Sequence, residues 1–189
     1  ETPVITQLGS PCILASSPCI NSDNVYAGYL TYTNKIKDFG YQLGLRAESS
    51  QYSGEVNTVS PSGKDTLIRY SNDFPISFFP SIFLTQKLKN NQELQFNFSR
   101  RINRPNFFQL FPFTDYSDTL NLSRGNPNLV PEFTYSTELS YNKTYGNNNT
   151  FLASAYFKYT DKLITRYQVA EPNPLNTANT LLVNTYINA

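Results

Sequence analysis

Apolar and polar side chains alternate along most of this chain. Leu94, Phe96 and Phe98, for example, alternate with Gln95 and Asn97. A period of two puts successive side chains on opposite faces of a β-strand, so the pattern predicts strands whose two faces meet different surroundings. The alternation is clear in 41–48, 81–88, 94–101, 133–142 and 151–160, and weaker in 25–33 and 181–187. We expect the segment 161–167 to prolong the strand 151–160.

The connections between these segments alternate strictly between short and long. The short ones carry the Gly and Asn chemistry of hairpin turns and cover 35–40, 89–93 and 146–150. The long ones cover 49–72, 103–132 and 169–180. Outer-membrane barrels combine short periplasmic turns with long extracellular loops. The sequence therefore predicts an all-β fold, an antiparallel transmembrane β-barrel.

A soluble β-sandwich also alternates apolar and polar positions, so composition has to separate the two folds. Charged residues make up 15% of the chain, against about 25% in soluble domains. Neutral polarity comes instead from 22 asparagines, 18 serines and 18 threonines. Aromatic residues recur near both ends of the strands, as in the two girdles of a membrane barrel. Segments of about 9–11 residues also match a tilted membrane crossing, and these features favour the barrel.

The number of strands suggests a segment of a larger barrel. With 25–33 included, the pattern gives six strands and suggests one or two more, whereas about eight is the usual minimum for a membrane barrel. An open sheet cannot span a bilayer, because its edge groups would lack hydrogen-bond partners in lipid. We expect residues 23–189 to form barrel wall and residues 1–22 to form an extracellular loop region.

Cys12 and Cys19 lie within that N-terminal region, separated by six residues rich in Pro and Ser. Their spacing favours a small disulfide-closed loop in an oxidising compartment. Two unrelated thiols are the alternative, since spacing alone does not fix connectivity.

Composition also argues against several function classes. The chain has no histidine, so it contains no histidine-based catalytic triad and no histidine metal site. Its net charge of +1 lacks the basic excess of a nucleic-acid-binding protein. No apolar run reaches the length of about 18 residues that a transmembrane helix needs. We expect no enzyme activity, no cofactor, no metal site and no nucleic-acid partner.

Several segments, taken in order, carry a family resemblance. The segments are NVYAGYLTY (24–32), YQLGLRAE (41–48), FFPSIFLTQKL (78–88), LQFNFSRRINRPNFFQLFPF (94–113), RGNPNLVPE (124–132) and TELSYN (137–142). With these segments the chain resembles, over about residues 24–168, the TonB-dependent-receptor-like outer-membrane β-barrel family common in Bacteroidota.

The resemblance implies a barrel of about 22 strands around a plug, placed in the bacterial outer membrane. It implies three partners: the membrane lipid, an unidentified ligand, and a periplasmic TonB-type energy-coupling protein contacted through a segment outside this chain. The implied function is a receptor that binds its ligand with extracellular loops and imports it through the barrel. The alternative is a barrel with a structural or adhesion role that transports nothing.

The candidate ligand contacts lie where the second long connection follows its strand. Arginines at the barrel mouth would bind an anion, and loop aromatics would bind an apolar or sugar ligand. For both sets we favour the structural alternative, with the arginines pairing to Asp115, Asp118 or Glu132 and the aromatics packing on one another. The candidates are Arg101, Arg104, Phe107, Phe108 and Tyr116.

Polar strand residues of mixed charge are predicted to face the lumen, where mixed signs suggest internal salt bridges. Arg100 has the opposite parity and is expected near the outer headgroups, where a charge costs little. Gly and Pro in the segment 125–131 predict a rigid turn that steers the long loop into the next strand. The turn residues are Gly125, Asn126, Pro127 and Pro131, and the lumen set is Gln42, Arg46, Glu48, Gln95, Asn97, Glu138 and Lys158.

Overall fold

In a computed structural model the chain consists almost entirely of β-strands. Within the described residues the only helix is α1, Phe107–Leu110, and no helix there has the length and apolar character needed to cross a membrane. The structure describes residues 6–7, 11–14, 17–59, 65–115, 122–146, 149–173 and 176–189. The strands are β1 Thr6–Gln7, β2 Pro11–Leu14, β3 Ser17–Ile36, β4 Phe39–Val59, β5 Asp65–Leu88, β6 Gln92–Asn103, β7 Thr114–Asp115, β8 Leu122–Arg124, β9 Glu132–Tyr145, β10 Asn149–Asp161, β11 Ile164–Asn173 and β12 Asn176–Asn188.

The strands form two sheets. The larger sheet has the order β1-β3-β4-β5-β6-β9-β10, with β2 paired to β3, and its pairs are antiparallel. The smaller sheet has the order β11-β12-β8-β7 and contains one short parallel pair, β12 with β8. The predicted all-β, antiparallel fold is confirmed, apart from that parallel pair.

Three close hairpin connections lie at one end of the larger sheet. They join β3 to β4, β5 to β6, and β9 to β10. Positive backbone φ angles at these connections match the requirement of tight hairpins, which Gly and Asn meet with little strain. The predicted short connections are confirmed. The residues with positive φ there are Lys37, Asn90, Asn91 and Gly146.

Two of the predicted long loops are wrong, because the structure forms strands there. β4 and β5 are 21 and 24 residues long and pair from Phe39↔Gln86 to Val59↔Asp65, across most of the predicted loop 49–72. The predicted loop 169–180 is largely the hairpin of β11 and β12. Backbone ladders hold these extensions together, with local aromatic contacts such as Tyr52 with Phe74 and Tyr70 with Phe111 in place of a continuous apolar face. Their sequences therefore lack the alternation that signals a half-buried strand.

Strand boundaries also differ from prediction at two places. β3 begins at Ser17, so residues 17–22 continue a strand that we had expected to start near Val25. β10 ends at Asp161, Lys162 takes a φ of 56°, and Ile164 opens a strand of the other sheet. The left-handed conformation of Lys162 interrupts the ladder, so 161–167 does not simply prolong β10.

The two cysteines lie on paired strands. The β2–β3 register puts the backbone of Cys12 directly opposite that of Cys19. Opposed residues of an antiparallel pair lie about 4.5–5.5 Å apart at Cα, within the range of a disulfide. The bond itself stays a prediction.

The buried apolar core lies at the end of the larger sheet opposite the tight turns. Four of the buried apolar side chains belong to the connection 104–131, and Val183 of β12 lies opposite one of them, Leu122, in the β12–β8 pair. By contrast, residues 149–159 of β10 are exposed on both faces. Among the described residues, the buried apolar side chains are Phe79, Leu110, Phe111, Leu122, Leu129 and Val183.

Candidate functional site

The cross-strand register sorts the larger sheet into a polar and an apolar face. One line across the sheet pairs Gln42 with Phe83, Asn97, Glu138 and Tyr156 in turn. Because side chains alternate along each strand, all seven residues predicted to face the lumen share this face. The neighbouring line, on the opposite face, runs through Tyr32, Leu43, Ile82, Phe98, Thr137 and Phe157.

A buried ionic cluster joins β4 to the connection after β6. The Glu48 side chain is only 2% exposed and accepts a hydrogen bond from Arg46 Nε at 2.8 Å. It also forms an ion pair with the Arg104 guanidinium. Arg104 Nε donates to Ser50 Oγ at 3.1 Å. These four residues, which we call the rim cluster, tie the start of the long connection to the polar face.

Arg104 is held in place by this pairing. Burial lowers the pKa of its guanidinium, Asp23 opposes that shift, and Arg46 adds to it. An arginine nonetheless keeps its charge at any physiological pH. The partner is Glu48 rather than any of the loop carboxylates that we had considered, and Glu132 instead accepts from Asn103 Nδ2 at 2.7 Å.

The other predicted arginine, Arg101, has a different environment. It is exposed and forms no ion pair with any residue that the structure describes. By register it lies opposite Thr134 on the polar face. Arg101 therefore remains available to a ligand.

The aromatic residues of the connection pack on one another. The Phe107 and Phe111 rings stack with centroids 5.2 Å apart, and Tyr70 of β5 meets the Phe111 ring edge-on at 6.1 Å. Phe111 is 3% exposed, whereas Phe108 is 60% exposed. Packing thus accounts for Phe107 and Phe111, while the Phe108 ring can still contact a ligand. The predicted contact Tyr116 lies outside the described residues.

The short helix α1 and a glycine determine the shape of this connection. Asn106 Oδ1 accepts from Gln109 N at 2.9 Å, and Gln109 Oε1 accepts from Asn106 N at 2.9 Å, which completes a capping box. Gly125 packs on the end of the helix. A Cβ at Gly125 would lie 2.4 Å from the Phe111 carbonyl oxygen and 2.6 Å from that of Phe108. Only glycine fits this close backbone approach.

The predicted turn residues bind both sheets together. Asn126 Nδ2 donates to the Tyr186 carbonyl at 2.9 Å, and Asn72 Nδ2 donates to the Pro127 carbonyl at 2.6 Å. Asn126 Oδ1 also accepts from Asn128 N at 3.0 Å, as in an Asx turn. Pro131 follows the turn and is buried. The turn is therefore part of the architecture that holds the connection against β5 and β12.

A cleft of about 460 Å³ opens between this turn and the β11–β12 hairpin. Arg124 and Glu171 form an ion pair in its wall, with Nη1 3.1 Å from Oε2, and Tyr167 and Thr185 add polar groups. Its size falls within the usual range of ligand sites. Sequence reasoning missed it, because we had predicted 169–180 as an unstructured loop and because Arg124 and Glu171 are 47 residues apart.

The partly buried position of Tyr70 leads us to expect that the folded protein loses stability at high pH. Burial raises the pKa of its phenol to about 12, from an ordinary value near 10. The folded protein therefore holds this proton more tightly, so its contribution is complete below about pH 10 and falls between about pH 10 and 12. We expect Tyr70→Phe to flatten this part of the stability profile in urea unfolding. An unchanged slope would show that Tyr70 is not the group responsible.

The comparisons place this architecture in a known family. A profile of the outer membrane protein beta-barrel family matches residues 14–189. The chain belongs to this family. The localisation is therefore the bacterial outer membrane. Barrels of this class turn an apolar face to lipid and a polar face to the lumen, so we expect that orientation for the two faces of the larger sheet. The end that carries the tight turns is then periplasmic, and the rim cluster and cleft lie toward the outside. No curated protein matches the sequence.

Solved outer-membrane receptors share the fold at low sequence identity. The hemophore receptor HasR of Serratia marcescens, solved as a double mutant with its hemophore HasA and heme, has a TM-score of 0.66 and 14% identity over 89% of this chain and 30% of its own. The siderophore receptor PirA of Pseudomonas aeruginosa has a TM-score of 0.53 and 15% identity over 93% of this chain and 38% of its own. The ferric enterobactin receptor PfeA of the same organism, solved as an R480A mutant with enterobactin, has a TM-score of 0.50 and 14% identity over 90% of this chain and 32% of its own. The chain thus spans about a third of the length of these receptors.

Proposed function

We propose that this chain is part of a TonB-dependent-type receptor that binds a ligand with its extracellular elements and imports it through the barrel. The observation that carries the proposal is that the long connection on the extracellular side is folded. The connection 104–131 has its own core, is bonded to β5 and β12, and borders a cleft. The likeness of most of the chain to receptor barrels supports the same function.

The arrangement of side chains suits ligand binding followed by passage through the barrel, and not catalysis of a reaction. Phe108 and Arg101 are exposed beside the rim cluster, and Arg124 and Glu171 offer both signs of charge in the cleft. Below them the polar wall presents neutral and charged groups to a hydrated path. Energy for import would come from a periplasmic TonB-type protein that contacts a segment outside this chain. With no histidine in the chain, we propose no enzyme activity for it.

Deletion of the gene in its native host tests the proposal. We expect at least one solute to disappear from the medium only when the gene is present, as measured by mass spectrometry of spent medium. A protonophore should block that depletion, because import through such a receptor is energised. An intact mass several-fold above 21.5 kDa for the native protein would agree with a plugged receptor. If no solute depends on the gene while surface adhesion does, the protein is a non-transporting adhesion barrel.

A further inference from the structure

Arg100 is a cation on the apolar, lipid-facing side of the wall. It shares the parity of Phe96 and Phe98 along β6 and lies opposite Tyr135 of β9. The Tyr135 ring stacks with that of Tyr159 on β10, at 6.3 Å between centroids, which shows that these side chains share one face. The guanidinium therefore emerges among aromatic residues and not into the lumen.

Two rings of the apolar face flank the guanidinium. Its Cζ lies 4.3 Å from the ring centroid of Phe133 and 5.5 Å from that of Tyr135. Nη1 also donates to the Phe78 carbonyl at 2.8 Å. The buried Phe79 ring lies 5.8 Å from Cζ, but its register opposite Arg46 assigns it to the polar face. Cation–π contacts hold the flat faces of a guanidinium. We call Arg100 with Phe133 and Tyr135 the aromatic cage.

Arg100 has no anionic partner among the described residues. One of its five N–H groups reaches a carbonyl, while Nε is buried without an acceptor. No described carboxylate forms an ion pair with it. The acidic residue nearest by register, Asp161, lies opposite Phe133, on the far side of that ring from β6. The site therefore offers a positive charge, unpaired among the described residues, to a group from outside the chain.

The height of Arg100 identifies that group. β6 starts at Gln92 beside the periplasmic turn, eight positions before Arg100. At the rise and tilt of barrel strands, Arg100 lies roughly 20 Å above this turn, near the outer border of an apolar band about 25 Å tall. The anions present at that level, on the lipid side of the wall, are lipid headgroups.

We propose that the aromatic cage binds the phosphate group of an outer-leaflet lipid. Guanidinium and phosphate pair through charge-assisted N–H···O bonds, and no described residue accepts a hydrogen bond from Nη2 of Arg100. The bound lipid would fix this part of the wall against the outer leaflet. The site faces away from the lumen, so it stands apart from ligand import and is tested without it.

Lipid titration of the purified full-length protein in detergent tests the site. The probe is dioleoyl phosphatidic acid, followed by native mass spectrometry. The references are phosphatidylcholine with the same acyl chains and free inorganic phosphate. We expect Arg100→Gln to weaken binding of the phosphatidic acid by roughly tenfold, the usual size of a lost charge-assisted pair. The matched variant Arg101→Gln removes the same charge on the opposite face and should keep wild-type binding.

Three results would overturn the proposal. They are equal phosphatidic acid binding by wild type and Arg100→Gln, equal binding of phosphatidylcholine, and competition by inorganic phosphate at the lipid's own concentration, which would indicate a site for free anions. If Arg100→Gln does not assemble, Arg100→Lys replaces it. Lysine keeps the charge but loses the planar fork and its stacking, so a several-fold weaker affinity is expected. Unchanged affinity in Arg100→Lys would equally contradict the cage.

Discussion

Replacement of Gly125 by alanine is expected to destabilise the extracellular connection by about 3 kcal/mol or more. The new Cβ would lie within 2.6 Å of backbone atoms of both Phe111 and Phe108. Neither backbone can move without displacing the end of α1 or the core around Leu110, which is fully buried. We expect a lower urea midpoint and faster protease cleavage within 104–131.

Gly28 supplies the matched control for this substitution. A Cβ at Gly28 would meet no atom within 4 Å, because the residue lies on an open face of β3. Gly28→Ala should therefore leave both the urea midpoint and the cleavage rate close to wild type. Equal effects of the two substitutions would mean that glycine flexibility, and not the close approach to α1, explains the result.

Removal of the Glu48 charge is expected to cost about 3 kcal/mol of unfolding free energy. Glu48→Gln leaves the Arg104 guanidinium, itself 19% exposed, without its carboxylate partner. An unpaired charge in that environment is costly, and the connection 104–131 would lose its ion pair with β4 and keep the Arg104–Ser50 hydrogen bond. Urea unfolding of the purified protein measures the loss. We also expect weaker ligand import, because Arg104 orients the segment that carries Phe107 and Phe108.

A second glutamate of β4, paired with an arginine of β5, provides the comparison. Glu55 pairs with Arg69 at 2.7 Å, but the two side chains are 47% and 69% exposed. Water screens such pairs, so Glu55→Gln should change the unfolding free energy by at most about 1 kcal/mol. If the two glutamine variants are equally stable, burial does not strengthen the rim cluster.

Local patterns predicted the strands of the barrel wall well. β6 and β9 were expected from their alternation, and the hairpin near Asn90 from its turn chemistry. The extensions of β4 and β5 were not expected, because isolated aromatic contacts such as that of Tyr70 with Phe111 leave no apolar alternation along the strand. The β11–β12 hairpin was expected only in part, through the weak alternation in 181–187.

The candidate site was predicted in part. The polar face and the mouth of the barrel follow from parity, so Arg46, Glu48 and Arg101 were all expected near the lumen. Parity along a strand cannot say which charges will pair. The sequence therefore left open whether Arg104 would meet a loop carboxylate, and the structure pairs it with Glu48 of β4. The cleft beside Arg124 depends on a hairpin that the pattern revealed only in part.

By itself the sequence determined the β-strands, their two unlike faces, the short turns at one end and the outer-membrane class. These features depend on neighbours one to four positions apart, so side-chain alternation and turn chemistry suffice to specify them. Only the tertiary structure decided the contacts between distant segments. Arg104 meets Ser50 across 54 residues, and Asn126 meets Tyr186 across 60. Such contacts depend on how sheets and loops pack in space, which no local period encodes.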